Sequence, residues 1–174
     1  MFWRKAKPRD LAAEHHGRAI GFLAEGHVEE AQAEYEAALE IDGDRIPTRL
    51  GLARLHLDAE RPDAALPHCQ HVLKQDAANV EASVLLARAY GLQSKYDWAI
   101  GQLRRTLLID PDHLEAMELL REINAQRLAL TPGEAGSLRS QQTWAISEYH
   151  QIRKTVARQS RLGWRLKQLF KRPR

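Results

Sequence analysis

Hydrophobic and polar positions along this chain repeat at an interval of 34 residues. At that offset, three polar stretches that begin helices align with one another, and so do three stretches at which helices end. The aligned starts are residues 26–31, 60–65 and 94–99, and the aligned ends are residues 38–44, 72–78 and 106–112. Gly43 tolerates a positive φ and Pro111 lacks a backbone N–H, so each is a residue type that ends a helix. The pattern therefore predicts two helices in each unit and an all-α fold.

Small and aromatic residues recur inside these predicted helices at the same interval. In the first helix of each unit a small residue precedes a ring by three positions, and in the second helix an alanine recurs. These residues are Ala19 and Phe22, Ala53 and His56, and Ala87 and Tyr90 in the first helices, and Ala31, Ala65 and Ala99 in the second. The arrangement resembles the tetratricopeptide repeat family, and the third unit matches best. The resemblance implies a right-handed superhelical solenoid of helix-turn-helix repeats.

The ends of the repeat pattern predict the domain organisation. A basic N-terminal arm is expected at residues 1–9, the tetratricopeptide array at 10–130, a linker at 131–136 and a basic C-terminal helix and tail at 137–174. Within the array, the units span about residues 12–45, 46–79 and 80–113, and an amphipathic capping helix spans 112–129. The linker is assigned because Pro132, Gly133 and Gly136 form a cluster of helix breakers.

A second helical pattern follows the linker and is amphipathic. Its apolar side carries Tyr149, Ile152, Val156, Leu166 and Phe170, and its basic side carries Lys154, Arg158, Arg161, Arg165 and Arg172. Trp164 is a residue type that favours the interface between water and lipid. We expect Lys154, Arg158, Arg161, Trp164, Arg165, Phe170 and Arg172 to dock on an anionic membrane surface or an acidic partner, with nucleic acid as a less favoured target.

Charge is divided unevenly along the chain. Residues 1–9 carry four basic residues and no acid, residues 10–150 carry 13 Lys and Arg against 23 Asp and Glu, and residues 151–174 carry nine basic residues and no acid. The formal net charge of +3 is therefore a property of the two ends. Basic ends on an acidic middle segment favour contact with an anionic surface or partner.

Composition excludes several classes of protein. Hydrophobic residues at 44% and charged residues at 28% are ordinary for a globular protein, which excludes a wholly disordered chain. No apolar run approaches the roughly 20 residues of a membrane-spanning helix, and the first residues lack the pattern of a secretory signal. One cysteine agrees with a reducing compartment. We expect a cytoplasmic protein, with the cytoplasmic face of a membrane as a further site.

Catalytic motifs are absent from the sequence, and one group of residues has metal-binding character. There is no glycine-rich phosphate loop, nucleophile elbow or zinc-protease motif. His68, Cys69 and His71 have the spacing of soft-metal ligands, and His56 is expected opposite Cys69. The alternative is that Cys69 is a core residue and that His68 and His71 are solvated, because no second ligand pair completes a site. We favour that alternative and expect no metal, no cofactor and no enzymatic activity.

The resemblance also implies a concave groove lined by the first helix of each unit, which holds a peptide or a partner helix. By the repeat offset, its residues are His16, Ile20, Leu23, Leu50, Arg54, Leu57, Glu81, Val84, Arg88 and Leu92. Arg54 and Arg88 occupy equivalent places, which suits a partner with spaced apolar side chains and one or two carboxylates. The alternative is that both arginines pair with nearby acids such as Glu81 or Glu118.

Co-chaperones of this family clamp acidic chaperone tails with lysine and asparagine at set groove positions. Here those positions hold His16, Ile20, Gly51, Glu81 and Leu85, so the sequence argues against that role. We expect a non-catalytic scaffold or adaptor that binds a partner segment in the groove and is positioned by its basic ends. The alternative is a peripheral membrane or nucleic-acid binding protein whose tail is the main functional element.

Overall fold

The structure, a computed structural model, describes residues 8–129, and within this range the chain forms seven α-helices and no strand. The helices are α1 (Pro8–Glu25), α2 (Val28–Ile41), α3 (Ile46–Asp58), α4 (Pro62–Gln75), α5 (Val80–Leu92), α6 (Tyr96–Ile109) and α7 (Leu114–Ala129). The prediction of an all-α fold is confirmed. The predicted linker and C-terminal helix, and nearly all of the N-terminal arm, lie outside the described residues.

The turns that join the two helices of each unit repeat at the 34-residue interval. Gly26, Glu60 and Ser94 have positive φ values of 83°, 53° and 57°. The residue after each of them donates its backbone N–H to a carbonyl five residues earlier, as His27 does to Phe22 and Arg61 to His56, both at 2.8 Å. This left-handed turn closes the end of the preceding helix and redirects the chain into the next.

Two helix starts have clear local causes. At α5, the Asn79 side chain accepts a hydrogen bond from the backbone N–H of Ala82 at 2.9 Å, which satisfies one of the free N–H groups of the first turn. At α4, the helix begins with Pro62, whose fixed φ suits the first helical position. These local signals place the starts of α4 and α5 where the repeat pattern predicts them.

The chain divides into two compact structural units, which are distinct from the 34-residue repeat units, and the boundary falls between Lys95 and Tyr96. In the first unit, α2 packs on α1 and α3, α4 packs on α3 and α5, and α3 and α5 also contact each other directly. Ala31 and Ala65, which recur at the repeat interval, are wholly buried. A buried alanine lets neighbouring helices approach closely, so these positions set the spacing of the helices.

The second unit contains α6 and α7 among the described residues. Ala99 and Leu103 of α6 are wholly buried, as is Ala116 of α7. At the start of α7, the His113 ring nitrogen Nδ1 accepts a hydrogen bond from the backbone N–H of Ala116 at 3.2 Å. No helix within residues 8–129 combines the length and the apolar character needed to cross a membrane.

Candidate binding groove

The ten predicted groove residues all lie on α1, α3 and α5 of the first unit, and they differ in how accessible they are. Leu50, Leu57 and Val84 are buried, with 7%, 1% and 2% of their surface exposed. The exposed apolar members are Ile20 at 52%, Leu23 at 39% and Leu92 at 46%. The apolar surface that the structure offers to a partner therefore comes from α1 and from the end of α5, while the leucines of α3 belong to the core.

Two ion pairs join α3 to α5, and each contains one of the groove arginines. The Nη2 atom of Arg54 lies 2.7 Å from Oε1 of Glu81, and the Nη2 atom of Arg88 lies 3.0 Å from Oδ1 of Asp58. The pairing of Arg54 with Glu81 is the alternative that the sequence left open. The partner of Arg88 is Asp58 rather than the acids named from the sequence. Asp58 follows Arg54 by four residues and therefore lies on the same face of α3, so the sequence could have indicated it as a partner for a groove arginine.

Tyr35 of α2 reaches between α1 and α3 and covers Gly51. A Cβ atom at residue 51 would lie 2.7 Å from Cζ of Tyr35 and 2.9 Å from its hydroxyl oxygen. The His16 ring contacts Tyr35 with a centroid separation of 5.5 Å, and His16 Nδ1 lies 3.2 Å from Oγ1 of Thr48. Tyr35 therefore fills the space between α1 and α3.

Burial shifts the pKa values of both rings. It lowers the pKa of His16, and the charge of Arg45 lowers it further. It raises the pKa of Tyr35, and the charge of Arg54 opposes that rise. Both side chains are therefore neutral at physiological pH, and the charges of Arg45 and Arg54 act on them.

The five positions that sequence comparison assigned to an acidic-tail clamp have other roles in the structure. His16 contacts Thr48, Gly51 lies under Tyr35, and Glu81 pairs with Arg54. Ile20 is an exposed apolar residue and Leu85 is buried. The assignment of the groove residues as a partner-binding site stays a prediction.

The residues with metal-binding character do not converge on one point. Cys69 is wholly buried, and burial raises the pKa of its thiol to about 12. His71 Nε2 lies 2.8 Å from Oδ1 of Asp44, so this ring is paired with an acid. The His56 and His68 rings stack with centroids 5.9 Å apart. Within residues 8–129, no group of three or more His, Cys, Asp or Glu side chains is arranged to hold a metal ion.

The paired helices, the buried alanines at the repeat interval and the repeated turns define a tetratricopeptide fold. A family model described as tetratricopeptide repeat matches residues 22–65 and 56–123, and the chain belongs to this family. Sperm-associated antigen 1 of Mus musculus is 29% identical to this chain over 116 residues. The aligned segment covers 65% of this chain and 12% of that relative, so the chain spans a small part of the relative's length.

Solved structures with the same fold include domains bound to short acidic peptides. The second tetratricopeptide domain of human RPAP3, in complex with the HSP70 peptide SGPTIEEVD, is 23% identical with a TM-score of 0.64, covering 68% of this chain and 98% of that one. The first such domain of Spaghetti (RPAP3), bound to the HSP90 peptide SRMEEVD, is 20% identical with a TM-score of 0.64, covering 68% and 94%. MamA of Desulfovibrio magneticus RS-1 is 16% identical with a TM-score of 0.62, covering 88% and 77%. These likenesses show the fold.

Proposed function

We propose that this protein is a non-catalytic scaffold that binds a segment of a partner protein on the groove face of α1, α3 and α5. The observation that carries the proposal is the exposure of Ile20, Leu23 and Leu92, three apolar residues on α1 and α5. Exposed apolar side chains flanked by polar groups are typical of a protein-binding surface. Domains of the same fold bind peptide partners, which supports this type of function.

The absence of catalytic activity is part of this proposal. The tetratricopeptide fold stacks helical repeats to present a binding surface, and the family to which the chain belongs has this architecture. The sequence contains none of the nucleophile, phosphate-loop or zinc-protease motifs of the common enzyme classes. A scaffold that recruits a partner needs only complementary surface, and the groove face supplies it.

Substitution of the exposed groove residues tests the proposal. Ile20→Glu combined with Leu23→Glu places two charges on the apolar surface of α1, and we expect the partner captured from an extract of the source cells to be lost. The matched control is Leu108→Glu combined with Ile109→Glu on α6, which changes two similarly exposed apolar residues outside the groove. Capture is measured by affinity purification and mass spectrometry. Equal capture by both variants and the unchanged protein would place the binding surface elsewhere.

We further propose that the basic ends position this scaffold in the cytoplasm, against the cytoplasmic face of a membrane. The supporting observation is the segregation of charge, since residues 151–174 carry nine basic residues and no acid. Each basic residue near an anionic bilayer contributes about 1 kcal/mol, so several together hold a protein at the surface. An acidic partner protein and nucleic acid are the competing targets. A test of binding to anionic vesicles distinguishes the membrane from these two.

A further inference from the structure

The two arginines of the groove face are both held by acids of the neighbouring helix. Along α3 the charges run from Arg54 to Asp58, and along α5 they run from Glu81 to Arg88. The two helices thus present opposite charges to each other at both places, and each contact is at hydrogen-bond distance, 2.7 Å and 3.0 Å. The four side chains form a set with no net charge, which we call the charge bridge.

The charge bridge changes what an incoming carboxylate meets. A carboxylate that approaches Arg54 also approaches Glu81, and one that approaches Arg88 also approaches Asp58. Each acid already contacts the Nη2 atom of its arginine. The new carboxylate must therefore displace that acid or share the guanidinium with it. The incoming carboxylate and the resident acid carry like charges and repel each other when they share one guanidinium. About half of each side chain in the two pairs is exposed, so a partner can approach both members.

The surrounding charge acts in the same direction. Residues 8–95 carry 15 Asp and Glu against nine Lys and Arg, so this unit has a net negative charge, which opposes the approach of an acidic segment. Of the ten groove residues, the accessible apolar ones are Ile20 and Leu23 on α1 and Leu92 at the end of α5. A segment that fits these features carries apolar side chains and no acidic ones.

We infer that Asp58 and Glu81 set the specificity of the groove: by forming the charge bridge they exclude acidic peptide tails and select an apolar segment without acidic residues. This inference rests on the proposed function of the groove face. It assigns to Asp58 and Glu81 a role in choosing the partner, whereas Arg54 and Arg88 become available to a carboxylate only when these acids are removed. Solved neighbours of the same fold bind peptides that end in EEVD, and we expect this groove to reject such an ending.

The experiment measures binding of a fluorescein-labelled SRMEEVD peptide to the full-length protein by fluorescence anisotropy. The unchanged protein should show no binding that depends on the groove arginines, so R54Q/R88Q should leave its anisotropy curve as it was. The variant D58N/E81Q should bind the peptide at least about tenfold more tightly than the unchanged protein, and adding R54Q/R88Q to it should remove the gain. Any peptide held by the basic tail contributes equally to all four proteins.

The matched control is E29Q/E40Q, which removes the same two charges from exposed positions on α2. A gain confined to D58N/E81Q supports the inference. An equal gain in E29Q/E40Q would assign the effect to net charge, and no gain in a D58N/E81Q protein that is folded by circular dichroism would remove the two acids as the cause. Arginine-dependent binding by the unchanged protein would also overturn the inference. Because the probe is a defined peptide, these outcomes are separate from the loss of partner capture that tests the proposed function.

Discussion

At the scale of single residues, Gly51 occupies a position where a side chain has no room. Its neighbour is Tyr35, which is 3% exposed and whose ring end would lie 2.7 to 3.1 Å from a Cβ at residue 51. Real Cβ contacts are longer, so Tyr35 or the α3 backbone has to move. We expect Gly51→Ala to lower the free energy of unfolding by about 1 to 3 kcal/mol, as overpacking of a core does. Urea denaturation measures this directly.

The control for that change is Gly21→Ala on α1. A Cβ at Gly21 meets no atom within 4 Å, and alanine favours the helical state by about 0.5 to 1 kcal/mol over glycine, so this variant should be more stable than the unchanged protein. The source of the Gly51 effect is tested by repeating Gly51→Ala in a Tyr35→Leu background. There the cost should fall, and an unchanged cost would mean that Tyr35 is not the residue displaced.

Individual residues also show what sequence alone could predict. The pair between Arg54 and Glu81 was foreseeable as an alternative, because both residues lie at repeat positions that face neighbouring first helices. The contact of Tyr35 with Gly51 was not foreseeable, because the repeat pattern gives the helix on which a ring lies but not how far it reaches. Distances of a few tenths of an ångström decide such a contact, and they depend on the whole packed unit.

At the scale of helices and turns, the repeat determines backbone geometry more strongly than local residue preference does. Gly26 is a residue expected at a positive φ, but its equivalents Glu60 and Ser94 adopt the same conformation with side chains that disfavour it. All three turns are closed by a hydrogen bond from the backbone N–H of the next residue to a carbonyl five residues earlier, so the repeated turn outweighs the local cost. The sequence therefore predicted the helices and their order, but not the strained backbone of these two residues.

At the contact between α3 and α4, two histidines with lowered pKa values predict that stability depends on pH. The pKa of His68 is lowered to about 4, chiefly by burial and also by the charges of His56, Arg49 and His71, while Glu36 opposes the shift. Burial also lowers the pKa of His56. An unfolded histidine titrates near about 6.5, so below that pH the unfolded chain binds more protons than the folded one. The stability that these neutral rings contribute is present above about pH 6.5 and is lost as the pH falls toward 4.

We therefore expect the free energy of unfolding to decrease between about pH 7 and pH 5, and the decrease to be smaller in His68→Gln. Glutamine keeps a polar side chain at this position but does not titrate, so it removes the proton uptake without leaving a large cavity. Urea denaturation at several pH values gives the slope for each protein. A slope in His68→Gln equal to that of the unchanged protein would show that the stacked histidines do not cause the pH dependence.

At the scale of the whole molecule, the chain combines an acidic repeat region with two basic ends. Residues 10–150 hold all 23 Asp and Glu, and residues 1–9 and 151–174 hold only basic charges. The sequence predicted the fold of the repeat region well, because a 34-residue period states which residues are equivalent. It gives the composition of the ends but not their target, because a basic amphipathic helix fits a bilayer, an acidic protein or a nucleic-acid backbone equally well by pattern alone.

The target of the C-terminal segment is decided by flotation with lipid vesicles. If its basic residues hold the protein on an anionic bilayer, the full-length protein should float with vesicles that contain phosphatidylserine and stay in solution with neutral ones. Substituting Arg158, Arg161 and Arg165 by glutamine removes three charges and should reduce the floated fraction, because about 1 kcal/mol is lost with each. Raising the salt concentration should reduce it further through screening.

The control substitutes Arg104, Arg105 and Arg121 by glutamine, which changes net charge equally within the repeat region. Equal flotation of both variants would show that the three C-terminal arginines do not hold the protein on the bilayer. No flotation of the unchanged protein would exclude the membrane as the target and leave an acidic partner or nucleic acid.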